Sequence, residues 1–360
     1  MKPRKVLLVE INEITWRVVD ALVVRHGESY LPNFARLRQQ GTWGVQVAEE
    51  RAPYLDPWIT WVTAHTGVPR EIHGARVLEQ DSATVTSPRT WEIAARAGLS
   101  VGVFGSIGSY PPSELNGFVV PGPFAPGPET HPVTLEPIQA LNRIYTQVQN
   151  RTRSAPGPME IGRLVVSLVN LGLRPSTVVT AATHLLRDRF NPKLRWRRPA
   201  LQPIINLDFF ARLYRKVRPE YATWHTNHAA HFMHHYWRAW DDTSFQTKSS
   251  AEERARYAGA VPYGYRLSDW LIGRFMKMLD DRTVLVVASS MGQTPYLSEQ
   301  YTEGKIVVRI RSIERLLEIV GSQGVVEAAP TMVPQWNIRV PDPERRRDLK
   351  ARLEGVVRGV

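Results

Sequence analysis

The 360-residue chain carries 46 Lys and Arg against 34 Asp and Glu, a formal net charge of +12, and has no cysteine. The missing thiol excludes a disulfide scaffold, a thiolate zinc site and a cysteine nucleophile. The apolar fraction of 43% and charged fraction of 22% are those of a globular protein, long enough for one large α/β domain with an insertion or for two domains. The positive charge fits an anionic substrate, a membrane surface or nucleic acid. Much of it lies in two patches, Lys193–Arg198 and Glu344–Arg352, that read as solvated surface, and no nucleic-acid module signature is present. The apolar run Val6–Val9 ends at Glu10, too short for a signal-peptide core, and no window approaches the roughly eighteen apolar residues of a spanning helix. The expected location is cytoplasmic.

In chain order, Val6–Glu10 reads as a buried parallel strand. Thr15 caps a helix with Trp16, Val19, Leu22 and Val23 at helical spacing. Asn33 is the expected cap of a second helix that ends at Gly41. Trp43–Val47 alternates as a strand does, Pro57–Thr66 reads as a helix stopped by Gly67, and Pro88–Ala97 as a helix before the strand Ser100–Phe104. Tyr110–Pro137 is Pro/Gly-rich and turn-like. Leu141–Leu186 offers helices broken at Ser154–Pro158 and at Arg174-Pro-Ser, with Ser176 as a cap. Residues 111–203 are expected to form an inserted, mostly helical cap outside the sheet, and residues 1–110 with 204–360 the α/β core. Within the cap, Ile161–Leu173 is amphipathic; packing on the main domain is the expected arrangement, and contact with a lipid surface the alternative.

The alternation then resumes with a helix over Asp208–Val217, a strand at Tyr221–His225, a histidine-rich helix, and helix from Ala251 to Leu279 kinked at Pro262. Thr283–Ala288 is the strongest strand signal; a strand at Lys305–Ile310, a helix at Ile313–Val320 and a polar helix at Pro343–Val357 follow. The pattern predicts an α/β fold with a mainly parallel sheet covered by helices on both faces.

Ligands of such sheets gather at the carboxyl ends of the strands. That edge collects Glu10, Asn12 and Glu13, then Gly105-Ser106, then His225 and Asn227, then Ser289-Ser290-Met291-Gly292. Five of the ten histidines lie in Tyr221–Trp240: His225, His228, His231, His234 and His235. Three-residue steps advance about 300° around a helix, so these rings cannot all meet one ion, whereas neighbouring pairs such as His231 and His234 can. Neutral imidazoles suit one divalent zinc, manganese or iron ion; the other reading is a set of pocket-lining hydrogen-bond partners with no cofactor. His73-Gly74 reads as a structural turn, Trp58 and Trp61 as core or cleft wall. Gln293-Thr-Pro-Tyr296 and Thr331–Asn337 are candidate pocket loops.

Several stretches together resemble the alkaline phosphatase superfamily, in its type I phosphodiesterase/nucleotide pyrophosphatase branch. They are Val6-Leu-Leu-Val-Glu-Ile-Asn-Glu, Leu31-Pro-Asn-Phe with Gly41-Thr-Trp-Gly, Trp61-Val-Thr-Ala-His-Thr-Gly67, Ile72-His-Gly74 and Thr90-Trp-Glu-Ile-Ala. The tract Asn227–Trp237 resembles the D-x-x-x-H-x-x-W block, and Ala288-Ser-Ser-Met-Gly292 stands where S-D-H-G would. The resemblance implies a fold with two divalent metals and a Thr or Ser nucleophile. Here the family's aspartates fall on Asn12, Ala230 and Ser290, and a histidine on Met291; His234 matches a retained histidine. The nucleophile position falls near Asp56-Pro57-Trp58, with Thr60 and Thr63 the nearest hydroxyls.

Two functions remain open on the residues. In the first, a rebuilt site acts on a phosphate- or sulfate-bearing ester of a sugar or glycan conjugate. Glu10, Asn12, Glu13, Asp56, His65 and His228 would be its catalytic groups, with Trp58, Thr60, Asn227, Ser289, Ser290 and Gln293 around an anionic substrate, and His231 and His234 as candidate metal ligands. The resemblance points to surface-polysaccharide pathways. In the second, the fold survives as a pseudo-enzyme that binds a ligand or partner. Nothing in the sequence sets the oligomeric state.

Overall fold

A computed structural model describes residues 5–51, 54–76, 80, 84–122, 124–149, 157–297, 310–322, 326–330 and 336–357. The strands are β1 (Lys5–Ile11), β2 (Val101–Phe104), β3 (Gly117–Val120), β4 (Tyr221–Thr226), β5 (Thr283–Ala288), β6 (Glu327–Pro330) and β7 (Trp336–Arg339). The helices are α1 (Trp16–His26), α2 (Pro32–Gln40), α3 (Pro57–Thr66), α4 (Arg70–His73), α5 (Thr90–Arg96), α6 (Glu136–Gln149) and α7 (Pro158–Asn170). They continue as α8 (Pro175–Phe190), α9 (Leu201–Val217), α10 (His228–Trp240), α11 (Ala251–Tyr257), α12 (Ala260–Met276), α13 (Ile313–Ile319) and α14 (Pro343–Val357).

Contacts divide the chain into two compact units, residues 1–145 with 156–303, and residues 146–155 with 304–360. The first holds a five-stranded sheet in the order β3-β2-β4-β1-β5, every pair parallel. The parallel α/β expectation is met. Side-chain alternation shows that both faces of the sheet are covered at β2 and β3, while the edge strand β5 leaves Val284 and Val286 exposed. Val101, Val103 and Val119 pack under Trp91 and Ala94 of α5, while Phe104, Phe118 and Val120 join the main core with α1, α9, α10 and α12. In the second unit, Ile313, Leu317, Val320, Val340 and Leu349 form a separate small core beside the antiparallel β6–β7 pair.

The domain boundaries differ from those expected. Gly117–Val120, placed by sequence in the cap, is the edge strand β3, and Leu135, Ile138, Leu168 and Leu173 from residues 111–203 belong to the main core. Residues 304–360 cluster apart from the sheet rather than with it.

Local departures have physical causes. Asn33 is not a cap. Its backbone N–H and Nδ2 donate to Asp269 at 2.8 Å each, while Pro32 starts α2 after Leu31. Arg174, not Ser176, stands at the start of α8. Trp43–Val47 forms no strand with any described residue, and Val45 and Val47 are exposed. The break between α11 and α12 falls at Ala258-Gly259, and Pro262 sits in the first turn of α12, where a missing N–H costs nothing. The strand expected at Lys305–Ile310 and most of Thr331–Asn337 lie outside the described residues.

Candidate active site

β1, β2 and β4 deliver their carboxyl ends to one edge, beside the amino end of α3. Thr15 Oγ1 caps α1 by accepting from Val18 N–H at 3.2 Å, which turns the chain away directly after Glu13. Asp56 caps α3, Oδ1 accepting from Trp58 N–H at 2.9 Å, and Gly67, at φ 69°, ends it. Gly105, at φ 79°, ends β2 where a Cβ would stand 3.1 Å from the His225 carbonyl, so a side chain here would be strained and crowd β4.

The innermost group is Glu10, fully buried. Its Oε1 accepts from Ser106 Oγ at 3.1 Å and lies 3.5 Å from His65 Nε2; its Oε2 lies 3.2 Å from His225 Nδ1. Ser106 Oγ is also 2.7 Å from Thr223 Oγ1. Burial works to raise the Glu10 pKa, but the two imidazoles outweigh it and bring the carboxyl down to about 2. His65 stacks on Trp61, and Trp91 packs edge-on against it. His225 Nε2 is buried without a hydrogen-bond partner among the described residues. The whole cluster is sealed from solvent.

Above it lies an amide layer. Asn12 Nδ2 donates to Asn227 Oδ1 at 2.8 Å and to Glu13 Oε1 at 3.3 Å, while Trp61 Nε1 donates to Asn12 Oδ1 at 2.8 Å. Thr60 Oγ1 donates to Ser290 Oγ at 2.8 Å.

The outer layer pairs Glu13 with His234. Glu13 is buried and held at φ 61°, a conformation a non-glycine residue rarely adopts and that costs on the order of 1–3 kcal/mol. Its Oε2 lies 2.7 Å from Nε2 of His234, whose side chain is half exposed. Burial pushes the His234 pKa down, but the hydrogen bond and charge of Glu13 outweigh it and the net shift is upward. Burial raises the Asp56 pKa, partly countered by the Trp58 N–H, and the negative charge of Glu13 raises it further. Glu13 is therefore the charge that both His234 and Asp56 respond to.

Other expected residues are placed elsewhere. His228 does not face this edge. Its Nδ1 lies 2.9 Å from Thr226 Oγ1 and its Nε2 3.0 Å from Ser268 Oγ, between α10 and α12, and burial lowers its pKa to about 3. That is a neutral, fully bonded core histidine. His231 stacks on His235 with centroids 4.2 Å apart, and burial, followed by neighbouring imidazoles, lowers its pKa to about 3. Ser289 Oγ closes a turn onto the Met291 carbonyl at 2.7 Å, and Gln293 Oε1 is buried without a partner among the described residues. Trp58 packs edge-on against Phe124 in the wall of a cavity of about 80 Å³ that Ser106 of the Glu10 cluster also lines, with Ser109 and Tyr110.

Sequence reasoning missed Glu50. With Ala75 N–H donating to His73 Nδ1 at 3.0 Å, His73 Nε2–H faces Thr63 Oγ1 at 3.0 Å, and Thr63 in turn donates to Glu50. His73 is thus more than a turn residue. Nothing around Glu50 in the sequence marked it.

The family model for type I phosphodiesterase/nucleotide pyrophosphatase matches residues 6–347. The chain belongs to this family. No curated protein matches it. Membership places the chain among phosphoester-hydrolase-like proteins of the alkaline phosphatase superfamily. At the positions where the family resemblance places metal ligands, the side chains are engaged with one another. Asn12 presents an amide tied to Trp61, Asn227 and Glu13, Ser290 is bonded to Thr60, and His234 Nε2 is engaged by Glu13. Among the described residues no three His, Asp or Glu converge as ligands would.

Proposed function

We propose that the chain is a phosphoester hydrolase or transferase whose site is rebuilt around Glu13, His234 and Asp56, acting on a phosphate- or sulfate-bearing ester of a glycan conjugate. The observation that carries this reading is the 2.7 Å contact between a buried carboxylate and a half-exposed imidazole at the mouth of the site. With Nε2 held by Glu13, the ring presents Nδ1 outward. In the imidazolium form it offers a positive charge and a proton to an ester oxygen. Asp56, its pKa raised above the usual carboxylate value by burial, is the group suited to accept a proton from the attacking water or alcohol. Asn12 and Asn227 stiffen the floor below Glu13 and keep its carboxylate aimed at His234.

A second reading, a binding protein without turnover, draws support from the inner layers. Glu10, His65, His225 and Asn12 are bonded mainly to one another and sealed away from any substrate. A panel of aryl phosphomonoesters, phosphodiesters, sulfate esters and sugar phosphates separates the two. Turnover that Asp56→Asn lowers by about a hundredfold or more supports the enzyme reading. Calorimetric binding of a sugar phosphate with no turnover of any ester supports the second.

A further inference from the structure

The surface of α7, α8 and the segment after them has a pattern that the site chemistry does not use. On α7, Leu164, Leu168 and Leu171 face the core, as expected for an amphipathic helix packed on its own domain. The opposite side of α7 is also apolar: Met159 is 70% and Val166 66% exposed, with Gly162 and Val169 beside them. Steps of three, four and three residues put these four on one stripe. On α8, Val179, Ala182, Leu186 and Phe190 stand at steps of three, four and four, within about 80° of one another. Val179 is 64%, Leu186 60% and Phe190 85% exposed.

The charge around this second stripe has one sign. Arg187 lies about 100° to one side of Leu186 and Arg189 about 60° to the other. Both are exposed, as are Lys193 and Arg195 in the 3-10 segment Pro192–Ala200 that follows. Residues 171–200 hold seven Lys and Arg and one acid, Asp188. Asp188 is fully buried, 2.7 Å from Arg198 Nε, and offers no negative charge to the surface. An exposed apolar stripe flanked by arginines is the arrangement that seats a helix at a lipid headgroup boundary, the apolar groups entering the acyl edge and the guanidinium groups reaching back to phosphates.

We infer that α8 docks the protein on the surface of an anionic lipid bilayer. No helix of the described chain is long and apolar enough to cross a membrane, so the contact is peripheral. It does not depend on the chemistry proposed above, because none of its residues belongs to that site.

Co-sedimentation of the full chain with vesicles tests this. The protein is expected to pellet with phosphatidylcholine vesicles containing phosphatidylglycerol, much less with phosphatidylcholine alone, and to be released by raised salt. Leu186→Ser with Phe190→Ser should lower the partition coefficient about tenfold or more, since both apolar side chains leave the lipid. Arg187→Gln with Arg189→Gln should reduce the preference for phosphatidylglycerol. All four side chains are exposed, so circular dichroism should match the parent protein. Val179→Ser, a smaller change on the same stripe, should give a smaller loss. The inference is overturned by a parent protein that ignores both vesicles at low salt, or by apolar variants that bind as it does. It is equally overturned by a solution dimer that Leu186→Ser with Phe190→Ser dissolves in the absence of vesicle binding, which would assign the stripe to a second copy.

Discussion

Glu13 Oε2 and His234 Nε2 are 2.7 Å apart although 221 positions separate them in the chain. Glu13 comes from the turn after β1, and His234 from the second turn of α10. The parallel pairing of β1 with β4, Ile11 opposite Thr226, sets the two segments side by side. The pair fixes a pH dependence. Burial alone would lower the His234 pKa, and Glu13 raises it above 6.5. The contribution of the pair is fully present below about pH 6.5 and fades as pH rises through the raised folded value. Glu13→Gln should bring the His234 titration, followed by NMR of its ring protons, below that of the parent protein. An unchanged titration would contradict the pairing.

His228 gives a dependence in the acid range. Its folded pKa is depressed to about 3, so its contribution is fully present above about pH 6.5 and lost as pH falls from there toward 3. One such group contributes a slope of up to about 1.4 kcal/mol per pH unit. Urea denaturation at pH 7 and pH 5 should show His228→Gln with a shallower fall in stability than the parent protein. Its catalytic rate at pH 7 should stay within about threefold, because His228 faces α12 rather than the sheet edge.

Glu10 holds the floor together. Glu10→Ala leaves His65 and His225 beside a cavity with no carboxylate, and should cost about 3–5 kcal/mol in chemical denaturation. In the parent protein the Glu10 contribution is present above about pH 4.5 and lost as pH falls toward 2. A loss below about 1 kcal/mol for Glu10→Ala would show that the cluster is not structural.

Thr63→Val should cost about 1–3 kcal/mol of stability, because it strips Glu50 and His73, both buried, of a shared partner. Ester turnover per folded molecule should be unchanged. A hundredfold loss of turnover with full stability would instead place this hydroxyl in the chemistry.

The parts of the fold that were legible in the sequence are those whose signal is local. Val6–Glu10 and Thr283–Ala288 are apolar runs rich in β-branched residues, and Thr15 and Gly67 mark helix ends by their own chemistry. The misread elements depend on distant partners. Asn33 looked like a cap, but Asp269, 236 positions away, takes its N–H. Trp43–Val47 has strand alternation but no paired neighbour among the described residues. At the site, Glu10, Asn12 and Glu13 were legible because topology alone brings strand ends to one edge. The direction each side chain takes was not. His228 and His234 are six residues apart on α10, about 120° around it by helical geometry. That angle sends one into the α12 interface and the other to Glu13. Glu50 gave no signal, because its role exists only through Thr63 and His73.

The most direct test of the rebuilt site is the hydrolysis rate of an aryl phosphodiester, measured for the parent protein and His234→Asn, each before and after exhaustive chelation with elemental analysis of the same samples. The account predicts parent turnover that survives chelation with no stoichiometric metal, and a fall of about a hundredfold or more in His234→Asn. Turnover that disappears on chelation and returns with zinc, manganese or iron, or that His234→Asn leaves intact, would contradict it.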